Sequence, residues 1–270
     1  MFASFMINAW IVASLVAIVA GAVGFFVVLR GSSFAAHALP LCAFPGAAAA
    51  HLWGIPDSLG LCLFSGLGVL GITLLSSRQR NEVATALTFV MMLGLGALFL
   101  SLARGYSQQV YALLFGEVLG ISDRAIAPVA GASGVVLGLT LVLFRPLLLS
   151  SVSADLAQAR GISSRHMDLL FLTILALATT MALPVVGALL VFTLMVGPPA
   201  AARFLSDRPL PALLISVAIA LATVWTALAA SYLVNWPVGF FVGVLSPTFY
   251  GLGRCWAWAR TRRRLVLREN

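Results

Sequence analysis

The sequence contains no lysine, and charged residues of any kind are scarce. Only 9% of the 270 residues are charged, 61% are apolar, and the mean hydropathy is +1.08. Because a soluble domain carries about 25% charged residues, the composition excludes a soluble globular protein and indicates a polytopic membrane protein. All sixteen basic residues are arginine. In so apolar a chain they mark cytoplasmic loops rather than a nucleic-acid surface.

Motifs for catalysis are missing as well. The sequence has no nucleotide-binding P-loop, no HExxH zinc motif and no Ser/His/Asp grouping. Its three cysteines, Cys42, Cys62 and Cys255, lie in apolar runs without CxxC spacing. We therefore expect buried packing residues, not disulfides or zinc ligands. An ATP-driven role would need a separate ATPase subunit.

Long apolar runs are abundant. A membrane-spanning helix needs about 20 apolar residues, and we predict an all-α, polytopic transmembrane helical bundle of about nine spans. The predicted spans are 9–29, 34–53, 58–75, 83–103, 125–144, 168–184, 185–202, 211–234 and 238–258. Eight spans are possible if 168–184 and 185–202 form a re-entrant hairpin. Residues 1–258 then form the transmembrane domain and 259–270 a basic cytoplasmic tail.

The arginines predict the orientation of the bundle. With the N-terminus outside and nine spans, only Arg104 and Arg124 lie outside, and the other fourteen arginines are cytoplasmic. The positive-inside rule favours this orientation, which also makes the C-terminus cytoplasmic. It places residues 150–164, hereafter the polar segment, in the cytoplasm, where a soluble partner can contact them.

The polar segment has the signals of a short helix. Ser153 is a suitable N-cap, Asp155 falls in the first turn where the helix dipole favours an anion, and Gly161 can adopt the left-handed C′ conformation. We interpret this helix as a docking element for a soluble partner.

Three ionisable residues are candidates for a cation pathway, because charge inside a membrane is costly. His37 lies just inside the second predicted span, and imidazole is a common ligand of zinc, copper, iron and nickel. His51 lies near the outer end of the same span, and Glu117 follows the fourth span. Each also has a purely structural interpretation, as a hydrogen-bonded packing residue or as a group in interfacial water.

Five motifs, in order, resemble the permease subunits of ABC importers for zinc, manganese and related divalent metals. They are FVVLRGSSF at 26–34, FPGAA at 44–48, YALLFG at 111–116, DLAQARG at 155–161, and VGALL at 186–190 with PPAAAR at 198–203. The last two are similar to the family patterns D-x-A-x-x-x-G and V-G-x-L-L…P-A-A-x-A-R. The resemblance covers about residues 20 to 250.

The resemblance implies a multi-pass protein of the cytoplasmic membrane that takes up zinc, manganese or iron by alternating access. It implies a second permease chain, as a homodimer by family analogy, and cytoplasmic ABC ATPase subunits that carry the ATP. It also implies an extracytoplasmic metal-binding protein and a transported divalent metal, with no permanently bound cofactor. The polar segment, with Asp155, Ala157 and Gly161, would be the coupling helix seated in the ATPase.

One family position is altered. The second span of the family carries D-x-L-x-H, where this chain has His37, Leu39 and Leu41. The carboxylate is replaced by imidazole and the imidazole by an apolar side chain. The cargo is then either a divalent metal at a weaker transit site, or a metal chelate or other small molecule. An ATP-independent transporter or a membrane enzyme is a third hypothesis.

Overall fold

A computed structural model describes residues 4–76, 81–102 and 123–269. These ranges are helical and contain no β-strand, which confirms the all-α class. The helices, numbered in chain order, are α1 (Ser4–Leu29), α2 (Ser33–Trp53), α3 (Asp57–Leu75), α4 (Asn81–Leu102), α5 (Asp123–Val142), α6 (Phe144–Val152), α7 (Ala154–Ala159), α8 (Ser164–Val186), α9 (Ala188–Leu205), α10 (Pro209–Val234) and α11 (Val238–Glu269).

Seven of the described helices are long and apolar enough to cross a membrane, namely α1 to α4 and α8 to α10. The bent pair α5 and α6 would make an eighth. The predicted ninth span, 238–258, lies within α11, which is not among the seven and continues as one helix to Glu269. The count of nine and the orientation of the termini therefore stay predictions.

Two helices form the centre of the bundle. In both α1 and α2, 72% of an 18-residue apolar stretch is buried inside the bundle, against 28% in α4. Helix α1 packs against α5, α8, α9 and α10, while α2 packs against α3, α4, α8 and α9. A helix that is apolar on all sides is a buried one, and the alanine-rich α2 fits this rule.

A proline explains the bend between α5 and α6. The two helices meet at an angle of 59° around Leu143. Pro146 lies four residues after Val142, so its ring crowds the Val142 carbonyl and it has no N–H to donate to that oxygen. By contrast, α2 remains one helix through Pro40 and Pro45.

A single glycine separates α8 from α9. Gly187 has φ 79° and ψ 157°, a conformation that is nearly restricted to glycine. Helix α8 continues through Pro184 to Val186, so the predicted boundary between 184 and 185 was two residues too early. Pro184 is tolerated near the helix end, and the chain turns only where a glycine permits it.

The expectation for the cysteines is confirmed in part. Cys42 is buried in α2, but Cys62 and Cys255 are exposed on the surface of the chain. Apolar surroundings in sequence do not distinguish the interior of a membrane protein from its lipid-facing surface, since both are apolar.

Candidate functional site

His37 lies on α2 between two aromatic rings. Its imidazole is half-buried, with the ring of Phe192 edge-on at 4.8 Å between centroids and the ring of Phe89 at 6.4 Å. Phe192 belongs to α9 and Phe89 to α4, so three helices meet at this imidazole. Both ring contacts are apolar, and within the described residues His37 belongs to no group of three or more His, Cys, Asp or Glu side chains that could hold a metal ion.

Leu41 lies one turn further along the same face of α2. It is half-buried and packs on a cluster that contains Leu183 and Ala188, the residues on either side of the Gly187 turn. The two positions that differ from the family pattern, 37 and 41, therefore both face the α8–α9 region. The second of them offers a cation no donor atom.

The structure does not bring the three predicted pathway residues together. His51 is exposed in the last turn of α2. It lies fourteen residues from His37, or about 21 Å along a helix. Glu117 lies outside the described residues. Within the described ranges, no group of three or more His, Cys, Asp or Glu side chains is placed to hold a metal ion.

The polar segment has the predicted local structure. Ser153 is the N-cap of α7, where its hydroxyl accepts a hydrogen bond from the Leu156 amide at 3.3 Å. Asp155 is exposed in the first turn, and Ala157 is completely buried. Gly161 has φ +76°. The amide of Gly161 donates to Gln158 and that of Ile162 donates to Ala157, both at 2.9 Å, a Schellman C-cap.

Apart from Ala157, α7 presents its side chains to the surroundings. Asp155, Leu156 and Gln158 are all exposed. This six-residue helix lies at the surface, where Ala157 packs against the rest of the chain and the other side chains are exposed. Its exposed side chains are accessible to a binding partner.

A second feature of this region was not predicted. The Arg30 cluster joins the end of α1 to two other helices. The guanidinium of Arg30 donates to the hydroxyls of Ser150 at 3.0 Å and Ser151 at 3.1 Å, forms an ion pair with Asp168, and lies 5.0 Å above the ring of Phe171. The Arg30 side chain is 9% exposed and that of Asp168 is 48% exposed.

Sequence reasoning treated Arg30 as a marker of topology and as part of the motif at 26–34, and Asp168 only as a residue at the start of a span. The available signal was two opposite charges at the ends of predicted spans on the same side. Partners 120 to 138 positions apart in the chain leave no local pattern, so that signal identifies no specific pair.

The sequence matches a known protein family over nearly its whole length. The ABC 3 transport family matches residues 2–253. This chain belongs to the ABC 3 transport family. The recognition made from the five motifs is confirmed.

Relatives of this ABC 3 chain carry names of transport proteins. It is 31% identical over 248 residues to the manganese import system permease protein ScaB of Streptococcus parasanguinis, covering 91% of this chain and 88% of the relative. It is 30% identical over 222 residues to the chelated iron transport system membrane protein YfeC of Yersinia pestis, covering 82% and 75%.

A solved structure has the same fold. PsaBC from Streptococcus pneumoniae, in complex with a Fab, superposes with a TM-score of 0.83 at 27% identity, over 93% of this chain and 91% of the other. With its apolar helices and permease relatives, the ABC 3 chain is a multi-pass protein of the cell membrane. The family and its relatives mark it as a transport subunit rather than an enzyme.

Proposed function

We propose that this chain is the membrane-spanning permease of an ATP-driven importer for divalent transition metals. The observation that carries the proposal is the match of residues 2–253 to the ABC 3 family, with relatives named for manganese and chelated iron. Since the sequence has no P-loop, ATP is hydrolysed by a separate cytoplasmic subunit.

The polar segment is the proposed contact with that ATPase. Its short, doubly capped helix lies at the surface, with Asp155 exposed and Gly161 closing the C-cap. The contact of Arg30 with Ser150, Ser151 and Asp168 requires the end of α1 and the polar segment to share one side of the membrane. The predicted topology makes that side cytoplasmic.

Transport would follow alternating access. ATP binding closes the ATPase pair, the coupling helices of two permease chains move with it, and a path between the chains opens first outward and then inward. An extracytoplasmic metal-binding protein delivers the cargo. The second permease chain is a copy of this one in our proposal, which would supply a second His37 to the path.

His37 is the proposed transit ligand for the metal. A neutral imidazole suits zinc and iron, whereas manganese prefers carboxylate and water oxygens. One imidazole per chain, with Leu41 at the next turn, makes a weak site. Weak binding is suited to transport, because a tightly held ion would not leave.

A metal chelate is the second candidate cargo. Two phenyl rings beside His37 and an apolar side chain at position 41 make a wall better suited to an organic ligand shell than to a bare ion. The relative named for chelated iron transport agrees with this candidate.

Cellular metal content tests both candidates. Zinc, manganese and iron would be measured by mass spectrometry in metal-starved cells with the gene, without it, and with His37→Ala. We expect one metal to fall in the deletion and again in His37→Ala, because the imidazole proposed as the transit ligand is lost. His166→Ala, the same change at an exposed position on α8, is the matched control.

Two results would redirect the proposal. Uptake that depends on the gene and only appears when the metal is supplied as a chelate favours the second candidate. Equal content of all three metals in every strain, with free ions and with chelates, contradicts import of metal altogether.

A further inference from the structure

We propose that Arg30 is the positioning residue that joins the polar segment to the transmembrane core, so that α1, α6 and α8 move together. The inference rests on the proposed function, because a role in coupling presupposes a transporter that is driven by ATP. It concerns contacts that the sequence motifs do not contain.

The geometry of Arg30 fits a joint between three helices. Its Nη1 donates to Ser150 and Ser151 in the last turn of α6, and its Nη2 contacts Asp168 on α8. A guanidinium holds several acceptors in a fixed plane, which the ammonium of lysine cannot do. Phe171 covers one face of that plane at 5.0 Å, so four partners on two helices fix one side chain.

The hydroxyls of Ser150 and Ser151 each act both as donor and as acceptor of a hydrogen bond. Each hydroxyl accepts from Arg30 and donates to the backbone carbonyl of Leu147. The hydroxyls are therefore oriented by α6 itself. Ser151 lies two residues before Ser153, the N-cap of α7, which leaves only Val152 between the Arg30 cluster and the start of the capped helix.

Aromatic packing reinforces the same joint. Phe26, one turn before Arg30 on α1, contacts the ring of Phe144 at the start of α6 edge-to-face at 5.6 Å. Helix α6 is thus held to α1 at both ends, by rings at its first residue and by hydrogen bonds at its last turn. A displacement of the polar segment carries α1 with it.

From α1 the contact continues to the candidate cargo path. Gly24 lies against the backbone of Met195 and the ring of Pro199 on α9. Phe192, whose ring contacts His37, is one turn away from Met195 on the same helix. A continuous series of packed groups therefore connects α7 to the imidazole by way of Arg30.

The test uses the complete transporter, with its ATPase, in lipid bilayers. Manganese uptake and ATP hydrolysis are measured on the same sample for the wild type, Arg30→Met, and the double variant Ser150→Ala with Ser151→Ala. We expect manganese moved per ATP to fall about tenfold in both variants, the scale on which residues between two sites modulate coupling. ATP hydrolysis itself should be retained.

The double variant separates positioning from stability. Alanine is a better helix former than serine, and the ion pair of Arg30 with Asp168 stays in place, so α6 and the fold are preserved. Arg208→Met removes an exposed arginine from the loop before α10 and is the control, expected at the wild-type ratio. If Arg30→Met does not assemble, the double variant decides.

A second readout does not depend on the cargo. Amide hydrogen exchange is compared with and without ATP in residues 26–32 and 150–164. In the wild type we expect both segments to respond, and in the two variants only 150–164. Failure of the wild type to transport manganese, zinc or iron, as free ions or as chelates, would contradict the proposed function, and the exchange data would then decide the role of Arg30.

Three results would overturn the role of Arg30. They are an unchanged ratio of manganese to ATP in the double variant, a response of 26–32 that persists in the variants, and no response of 26–32 in the wild type.

Discussion

The central helices come close because several positions on them carry no side chain. Gly46 of α2 and Gly60 of α3 face each other so closely that a Cβ built on either would meet the carbonyl of the other. Gly21 of α1 lies against α10, where the Ser216 hydroxyl donates to its carbonyl at 2.7 Å. Close backbone approach of this kind drives helix association in lipid.

Gly24→Ala should destabilise the bundle. A Cβ at this position would contact the Met195 carbonyl and lie 2.8 Å from the Pro199 ring, and a backbone carbonyl cannot rotate away as a side chain does. Overpacking of this kind costs about 1–3 kcal/mol. The measurement is the thermal unfolding midpoint of the purified chain in detergent, which should fall.

Gly134→Ala is the matched control for this substitution. It also lies within a helix, but no heavy atom of the part of the chain that the structure describes lies within 4 Å of its ideal Cβ. Since alanine is the better helix former by up to about 1 kcal/mol, its midpoint should stay level or rise. Equal midpoints for the two variants would contradict the importance of the α1–α9 contact.

Sequence spacing does not reveal which glycines make such contacts. Gly134 with Gly138 and Gly239 with Gly243 have the four-residue spacing of a helix-packing motif. A Cβ at any of them would nevertheless have no heavy atom of the described residues within 4 Å. Spacing identifies a smooth face of a helix. Which helix lies opposite that face depends on the tertiary fold.

Among the secondary-structure elements, α7 is the one that local chemistry specifies most completely. Its N-cap, its acidic first turn and its left-handed glycine were all predicted and are confirmed, because a cap depends on residues within a few positions. The turn at Gly187 was misplaced by two residues. Two local signals compete there, Pro184 and Gly187, and α8 continues through the proline and ends at the glycine.

Asp155→Arg should release the ATPase from the permease. The change reverses an exposed charge in the first turn of α7, where the helix dipole already disfavours a cation, and it places that charge on the surface proposed for docking. We expect loss of the ATPase that co-purifies with the tagged wild-type chain. Asp207→Arg, an exposed reversal between α9 and α10, serves as control and should retain it.

Should both variants retain the ATPase, and transport at the wild-type rate, the polar segment is not the coupling element. Loss in both would instead point to net charge on that side of the membrane as the cause.

For the whole molecule, composition alone was enough to predict a helical membrane protein, and family motifs were enough to predict a transport subunit. The number of spans was harder to predict. Helix α11 combines an apolar first half with an arginine-rich end, and the bent pair α5 and α6 is one span or two elements depending on the bilayer. These ambiguities arise because length and hydropathy do not contain the position of the membrane.

The predicted orientation can be measured with two single cysteines in a chain whose three native cysteines are replaced. Asp57→Cys lies in the exposed first turn of α3, and Gln158→Cys lies on the exposed face of α7. In intact cells a membrane-impermeant maleimide should label only the Asp57→Cys variant, because residue 57 is outside. Permeabilised cells should label both, and the opposite pattern in intact cells would reverse the topology.

Because Gly187 alone connects α8 to α9, the number of residues in this stretch matters as much as the identity of its side chains. Helix α8 carries Asp168, which Arg30 holds, and helix α9 carries Phe192, which contacts His37. A residue inserted or deleted within a helix rotates everything after it by about 100°. No loop lies between the two helices to absorb such a rotation. An insertion near Gly187 therefore turns the side chains of α9 away from their present partners. Related permeases can therefore exchange side chains along this stretch but should keep its length constant.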